Sequence, residues 1–209
     1  MKGLANGLYY LFEWITRFAY LNLMWICFSI LGLILLGFIP STVAMFEITR
    51  KWNRGEYDIR IFNTFWRYYK KDFLRANLIG YVFLLIGYIL SIEFQILRAN
   101  SSAVYFIASY GVVALFILYF ITLLYFFPIF VHFNLKLYEY IKWPFIIGII
   151  HPILTLFLSV VICIICYVIF QMSPILLFLF GGSGIAFIVM WGASKTFSKY
   201  EYVYEGEKT

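Results

Sequence analysis

Charged residues are scarce in this sequence. Only 12% of the 209 residues are Asp, Glu, Lys or Arg, whereas 64% are hydrophobic. A soluble domain carries roughly 25% charged and 45–50% apolar residues, because its surface must face water. The deficit of charge therefore excludes an ordinary water-soluble domain and predicts an integral membrane protein.

Ionisable residues are also missing from the interiors of the long apolar runs. A charged side chain within the bilayer is costly and usually marks an ion or proton path. Its absence argues against an ion-coupled transporter, although neutral polar groups can still line a path for a solute. The sequence also lacks a Ser-His-Asp arrangement, paired carboxylates and zinc-ligand spacing. We therefore expect no enzyme activity, no catalytic residues, no metal and no cofactor.

Cysteine is used sparingly, and all three cysteines fall inside apolar runs. Cys163 and Cys166 form a C-x-x-C motif, but no second cysteine pair accompanies it. Apolar surroundings disfavour the thiolate that redox or metal chemistry needs. Cys27 and this pair are therefore interpreted as small buried hydrophobes. The glycine-rich run 181–184 lacks the Lys-Ser/Thr of a phosphate loop and indicates close helix packing or a local kink.

Runs free of charged residues predict five transmembrane helices of about 20 residues each. All five prolines lie at or near a span end, where a missing N–H is tolerated. The runs are apolar throughout and do not alternate as membrane strands would. The predicted fold is an all-α integral membrane bundle forming a single domain over 1–209. The predicted spans are 18–39, 76–92, 103–127, 145–170 and 174–194.

Lysine and arginine are distributed unevenly between the two sides of this bundle. Thirteen of the 16 fall in the first connection (47–75), the third connection and the C-terminal tail. Because cytoplasmic loops are enriched in Lys and Arg, the C-terminus is predicted to be cytoplasmic and, with five spans, the N-terminus outside. The natural partner of these basic residues is anionic lipid rather than nucleic acid, because most of them lie between apolar spans. The three residues on the other side are Lys2, Arg17 and Arg98.

The first 17 residues are amphipathic. At helical spacing, Lys2, Asn6, Glu13 and Arg17 share a narrow arc, and apolar side chains such as Leu4 lie opposite. This pattern is typical of a helix lying in the membrane interface. The alternative is an extension of the first membrane helix that is polar only where it leaves the lipid.

A second amphipathic segment, 58–75, lies in the first connection. Asp58 can cap a helix that runs to about Arg75. Aromatic residues at helical spacing form one stripe, namely Phe62, Phe65, Trp66, Tyr69 and Phe73. We interpret the segment as an interfacial anchor for anionic lipid, with a docking surface for a cytoplasmic partner as the alternative. The candidate lipid- or partner-binding residues are Arg60, Phe62, Trp66, Arg67, Lys70, Lys71 and Arg75.

Neutral polar residues are few within the predicted spans. Asn22 and Trp25 lie close together on the first span, and His151, Thr155 and Ser159 recur at steps of four on the fourth. Hydrogen bonds between membrane helices contribute about 0.6 kcal/mol each on average, and helix packing is the favoured use of these residues. The alternative is that these five residues form an intramembrane polar face lining a path for a solute.

Four short motifs resemble one bacterial membrane protein family. They are NLMW at 22–25, GFIPSTVA at 37–44, RKWNRGE at 50–56 and FNTFWRYYKK at 62–71. Their order is similar to that of the YesL-type family, a domain of unknown function. The resemblance implies a multi-pass protein of the bacterial cytoplasmic membrane. Because family members are often encoded beside carbohydrate importers, it also implies a link to sugar uptake. It implies no catalytic residues.

Two functions are compatible with these observations. The first is a non-enzymatic accessory or regulatory protein that assembles with a membrane transport complex and serves carbohydrate uptake or utilisation. The second is a small-solute transporter or channel that uses the intramembrane polar face as its path. The basic-aromatic segment favours the first function.

Overall fold

A computed structural model describes the backbone of residues 2–100 and 102–206, with side chains placed for 6–100, 102–197 and 200. Within those ranges the chain forms eight α-helices and no strand, which confirms the predicted all-α bundle. The helices are α1 (Lys2–Leu31), α2 (Leu35–Asn53), α3 (Ile61–Lys71), α4 (Phe73–Ala99), α5 (Ala103–His132), α6 (Glu139–Ile150), α7 (Pro152–Met172) and α8 (Pro174–Gly206).

Five helical segments are long and apolar enough to cross a membrane, as predicted. Pro152 and Pro174 open α7 and α8, where the missing N–H has no partner within the helix. The chain is therefore a multi-pass membrane protein. The five segments are Asn6–Leu31, Phe73–Ala99, Ala103–His132, Pro152–Met172 and Pro174–Phe197.

The predicted fourth span, 145–170, is interrupted in the structure. Helix α6 ends at Ile150, and His151 has a non-helical backbone with φ −114° and ψ 61°. Proline disfavours helix in the residue before it, so Pro152 explains the break. The crossing helix therefore starts at Pro152 rather than at residue 145.

The predicted first span, 18–39, contains a chain reversal. Helix α1 ends at Leu31, and Leu33 and Ile34 have positive φ angles of 56° and 63°. Left-handed backbone is costly for such residues, and here it produces a tight turn. Helix α2 then returns along α1, and the hydroxyls of Ser29 and Ser41 lie 3.0 Å apart across the pair. We call α1, the turn and α2 the amino-terminal hairpin.

Helix α2 lies at the centre of the molecule, in contact with α1, α3, α4, α5 and α8. Just beyond its end, Arg17 of α1 donates a hydrogen bond from Nη1 to the carbonyl oxygen of Tyr57 at 2.8 Å. The rings of Trp14 and Trp52 are 5.6 Å apart at the same level. The first half of α1 therefore lies beside the start of the first connection. The side of the membrane on which the N-terminus lies stays a prediction.

The remaining crossing helices form two further hairpins, α4 with α5 and α7 with α8. Within each hairpin, the start of the first helix lies beside the end of the second. Arg75, at the start of α4, donates to Asn134, just beyond α5, at 2.9 Å. His151, just before α7, is 3.2 Å from the hydroxyl of Tyr200 in α8, and Trp143 of α6 contacts the same tyrosine ring. We call this end of the bundle, where α4 starts and where α5 and α8 approach their ends, the basic end.

The amphipathic segment 1–17 continues into α1 without a break. Helix α1 runs from Lys2 to Leu31. The segment is therefore an extension of the first membrane helix, which is the second of the two interpretations. Met1 and the side chains of Lys2 and Leu4 lie outside the described part of the chain.

Candidate functional site

Two residues of the predicted polar face hold the amino-terminal hairpin in place. Asn22 is 1% exposed. Its Nδ2 donates to the carbonyl oxygen of Phe178 at 2.6 Å, and its Oδ1 accepts from the backbone N–H of Ser183 at 2.9 Å. These bonds tie α1 to α8. Trp25 donates its indole N–H to the hydroxyl of Thr42 at 2.9 Å, which ties α1 to α2.

Two of the other three residues of that face, Thr155 and His151, connect α7 and its start to neighbouring helices. The hydroxyl of Thr155 is 3.0 Å from that of Tyr125 in α5, and it also donates to the carbonyl oxygen of Gly148 in α6 at 3.0 Å. Ser159 donates to the carbonyl oxygen of Thr155 at 2.8 Å, and His151 contacts Tyr200 of α8. Each of these polar groups is thus engaged within the bundle.

The five residues do not all border the same crevice. Trp25 and Ser159 both border a mostly apolar crevice of about 610 Å³ between the amino-terminal hairpin, α5, α7 and α8. Asn22, His151 and Thr155 are not part of its lining. The hydrogen bonds of these residues are of the kind that packs membrane helices together, and the solute path stays a prediction.

The amphipathic segment 58–75 is two helices rather than one. Helix α3 begins at Ile61 after Arg60, so Asp58 does not cap it. At Asp72 the backbone leaves the helical conformation, and α4 starts at the next residue. Aspartate competes for local backbone hydrogen bonds and is common at such breaks. Arg75 and Phe73 therefore belong to α4, whereas α3 carries the other four residues of the aromatic stripe.

The aromatic stripe of α3 packs against α1. Phe65 and Tyr69 are buried, with their ring centres 5.1 and 5.2 Å from that of Phe28. Phe62 and Trp66 flank the same ring but remain 48% and 40% exposed. One side of α3 is thus fixed to the bundle, and the other presents two aromatic rings at the surface.

Neighbouring lysines of α3 point to different surroundings. Lys70 places its ammonium 4.6 Å from the ring centre of Trp66, on the exposed side. Lys71 lies 5.7 Å from the ring of Tyr68 and lines a cavity on the other side of the helix. The predicted basic face therefore contributes to two separate surfaces.

That cavity is a polar basin of about 400 Å³ at the basic end, between α2, α3, α4 and the link that follows α5. Its charged lining residues are Glu47, Arg50, Lys71, Asp72 and Arg75. Lys71 and Arg75 were predicted as site residues from the sequence. The other three were not, because they belong to no spaced motif that sequence reasoning recognises.

Glu47 is the most buried charged residue of the basin, with 2% exposure. Its carboxylate accepts two hydrogen bonds from Arg50, at 2.6 and 3.0 Å, and a further one from the Tyr68 hydroxyl. Burial and the adjacent Glu47 charge raise the pKa of Tyr68, so this phenol stays protonated and acts as a donor. The charge of Glu47 is therefore compensated within the wall of the basin.

Arg75 is held rigidly in the opposite wall. One terminal nitrogen donates to the amide oxygen of Asn134 at 2.9 Å, and the other donates to the carbonyl oxygen of Leu135. The guanidinium also lies 4.9 Å from the ring centre of Tyr140. These contacts fix a positive charge beside the cavity without cancelling it, because none of the three partners is an anion.

Asp72 lies between α3, which ends with Lys71, and α4, which contains Arg75. Burial raises the pKa of its carboxyl group, the charge of Glu47 adds to this, and the charges of Lys71 and Arg75 oppose it. Asp72 therefore carries its negative charge less readily than an exposed aspartate. The basin carries an excess of positive charge, because it has three cationic side chains and two carboxyl groups. One carboxylate, that of Glu47, is paired with Arg50, and the pKa of the other, that of Asp72, is raised.

This arrangement can bind a small polar ligand. Its volume falls within the range of about 300–1,000 Å³ that is usual for small-molecule sites. Among the residues with placed side chains, no group of His, Cys, Asp and Glu is arranged to hold a metal ion. The charged side chains of the lining supply hydrogen-bond donors and acceptors to such a ligand.

Comparisons with known proteins identify the family. A family model described as "Protein of unknown function, DUF624" matches residues 18–94. The uncharacterized protein YesL of Bacillus subtilis (strain 168) is 31% identical over 209 residues, which is 100% of this chain and 98% of YesL. This chain belongs to the YesL-type family. No solved structure matches it.

Two other relatives from the same organism extend the YesL-type family comparison. The uncharacterized protein YesV is 32% identical over 197 residues, or 94% of each chain. The uncharacterized protein YteU is 37% identical over 137 residues, which is 66% of this chain and 61% of YteU. The segment that the family model matches contains all five charged residues of the basin. The description of the family names no activity.

Proposed function

We propose that this chain is a non-enzymatic accessory or regulatory protein of the bacterial cytoplasmic membrane that docks onto a membrane transport complex through α3. The observation that carries this proposal is the exposed side of α3, where two aromatic rings and several cations stand on a helix whose other side is buried. The link to carbohydrate uptake or utilisation rests on the resemblance to the YesL-type family alone.

The exposed side of α3 has the chemistry of a docking surface. Aromatic residues and arginine are enriched at protein interfaces, where rings fill pockets and guanidinium groups bind carboxylates. Phe62 and Trp66 supply the rings, and Arg67 and Lys70 supply exposed charge. Because Phe65 and Tyr69 anchor the helix against α1, this surface is preorganised and loses little conformational entropy on binding. A partner with an acidic, pocketed surface fits it best.

We also propose that the basic end faces the cytoplasm, with the N-terminus on that same side. The excess of Lys and Arg in the first connection and the C-terminal tail supports the direction. The contact between Arg17 and Tyr57 supports the position of the N-terminus. In this arrangement Lys2 and Arg17 join the other basic residues, and Arg98 stands apart from them.

Site-specific photo-crosslinking in cells tests the docking proposal. With benzoylphenylalanine at position 66, we expect an adduct with one protein, identified by mass spectrometry as a component of a membrane transport system. Adding Lys70→Glu, which reverses a charge beside that ring, should remove the adduct. The matched control is the same crosslinker at Tyr88, an exposed position of α4, where only lipid should be captured. Recovery of lipid alone from both positions would refute the docking role.

A further inference from the structure

The polar basin at the basic end is separate from the exposed side of α3 and has no part in the docking proposal. Five helices and the link after α5 line it, and its charged side chains come from α2, α3, α4 and the junction between α3 and α4. Charged side chains are few in this protein, yet five of them converge on one cavity. Burying charged groups near the end of a membrane bundle costs free energy unless they are paired. A bound ligand of opposite charge, or pairing among the side chains themselves, would offset that cost.

We propose that the polar basin binds a phosphate group, with Lys71 and Arg75 as its principal ligands. The charged side chains of the basin do not cancel one another completely. Glu47 is neutralised by Arg50 in a two-point ion pair of 2.6 and 3.0 Å. Asp72 alone opposes Lys71 and Arg75, which leaves an excess of positive charge for an anion.

The second step is the availability of these two cations. Lys71 is exposed to the cavity, and it forms no ion pair with any residue whose side chain is placed. The hydrogen bonds of Arg75 go to neutral oxygens of Asn134 and Leu135, which orient its guanidinium without removing its charge. A fixed guanidinium and a flexible ammonium together suit the several oxygens of a phosphate.

The third step is the choice among ligand classes. A metal ion or organic cation would be repelled by Lys71 and Arg75, and an apolar ligand would remove water from the exposed charged side chains of the lining. A phosphate group satisfies the donors, and any hydroxyl beside it can donate to the Asp72 carboxylate. The volume of about 400 Å³ accommodates a phosphate together with a group of the size of glycerol or a monosaccharide.

A phosphate of this kind can come from two sources. One is the headgroup of an anionic lipid, because the basin opens where α4 starts and α5 ends, at the limits of two crossing segments. The other is a soluble phosphate ester from the cytoplasm. Both present the same chemistry to Lys71 and Arg75, and the probes below separate them.

The test uses the full chain purified in a neutral detergent. The probes are inorganic phosphate, glycerol phosphate and dioctanoyl phosphatidylglycerol, with dioctanoylglycerol as the uncharged control. Binding is measured by ligand-dependent thermal shift and by native mass spectrometry. We expect saturable binding of at least one phosphate probe and none of dioctanoylglycerol. Preference for the lipid over glycerol phosphate identifies a headgroup site, and equal or stronger binding of glycerol phosphate identifies a soluble ester.

Adjacent lysines provide a matched pair of variants. Lys71→Gln removes a charge from the basin, and we expect the apparent dissociation constant to rise about tenfold, as for the loss of one charge-assisted hydrogen bond. Lys70→Gln removes the same charge one residue away, on the exposed side beside Trp66, and should change binding less than about twofold.

Two results would overturn the phosphate site. One is the absence of saturable binding by every phosphate probe. The other is an equal loss of affinity in both lysine variants, which would mean that only the general surface charge attracts the anion. Because both side chains are exposed, neither substitution should prevent folding. The crosslinking result at position 66 is independent of either outcome, so failure of one proposal leaves the other standing.

Discussion

Asn22 is a buried polar side chain that makes two hydrogen bonds between distant parts of the chain. We expect Asn22→Leu to lower the stability by about 1 kcal/mol, because such bonds between membrane helices contribute about 0.6 kcal/mol on average and up to 1.7 kcal/mol. For a chain of this size, that corresponds to a fall in Tm of about 2–4 °C, measurable by thermal unfolding in detergent.

The control for Asn22 is Ser91→Ala, which removes a hydroxyl that bonds only to the carbonyl oxygen of Gly87 in its own helix. It should leave Tm within about 1 °C, since a serine hydroxyl that bonds to the carbonyl oxygen four residues earlier adds little to helix stability. Equal Tm values for Asn22→Leu and Ser91→Ala would contradict the bridging role of Asn22.

Residues of the basin show which part of a site the sequence can reveal. Lys71 and Arg75 were found because a row of basic residues at helical spacing is visible in the sequence. Glu47 was missed because it looked like the first residue of a polar connection rather than a buried group. Its two-point pairing with Arg50 depends on α2 returning into the bundle. The chain reversal that brings α2 back is not marked by any charge or proline.

Close packing between the two helices of the amino-terminal hairpin requires a residue without a side chain at position 37 of α2. A Cβ atom on Gly37 would lie 2.5 Å from the carbonyl oxygen of Ser29 and 2.7 Å from that of Phe28. Because these are backbone atoms of a packed helix, they cannot move away cheaply. We expect Gly37→Ala to cost about 1–3 kcal/mol of stability, as overpacking usually does.

The matched control is Gly111→Ala, a substitution of the same type in the middle of α5. Nothing lies within 4 Å of a Cβ built there, and alanine favours helix over glycine by up to about 1 kcal/mol. Thermal unfolding should therefore show a lower Tm for Gly37→Ala and an unchanged or higher Tm for Gly111→Ala. A Gly37→Ala variant as stable as the parent would show that the two helices of the hairpin do not pack so closely.

The presence of the crossing helices could be predicted from the sequence more easily than the residues at which they begin and end. The five crossing segments were visible as apolar runs, because composition alone decides whether a helix can face lipid. The break at Asp72 was not visible, because an aspartate between Lys71 and Phe73 also fits a continuous amphipathic helix. The turn at residues 32–34 was hidden for a similar reason, since it is as apolar as the helices that it joins.

At the scale of the whole molecule, the helices pair into three hairpins, α1 with α2, α4 with α5, and α7 with α8. Each pair returns the chain to the end from which it started. The contacts of Arg17 with Tyr57, of Arg75 with Asn134 and of His151 with Tyr200 lie near the open ends of these pairs. Five crossing segments predict termini on opposite sides, whereas the proposed arrangement, in which α2 returns beside α1, has both termini on one side.

Labelling of single cysteines in intact cells distinguishes the two arrangements. The background replaces Cys27, Cys163 and Cys166 with serine, and a membrane-impermeant maleimide is added from outside. Asn100→Cys, in the link between α4 and α5, should be labelled at once. Lys2→Cys and Arg54→Cys should react only after the membrane is permeabilised, because the proposed arrangement has both residues on the cytoplasmic side with most of the Lys and Arg residues.

The outcome for Lys2→Cys decides the arrangement of the amino-terminal hairpin. Labelling of this residue in intact cells, with Arg54→Cys still protected, would mean that α1 crosses the membrane completely and that α2 does not return beside it. In that case Arg17 could not reach Tyr57, and the buried position of Glu47 would lose its basis. Protection of both residues requires α2 to return to the side from which α1 enters. That return carries Glu47 and Arg50 into the wall of the basin, so the same structural step creates both the topology and the candidate site.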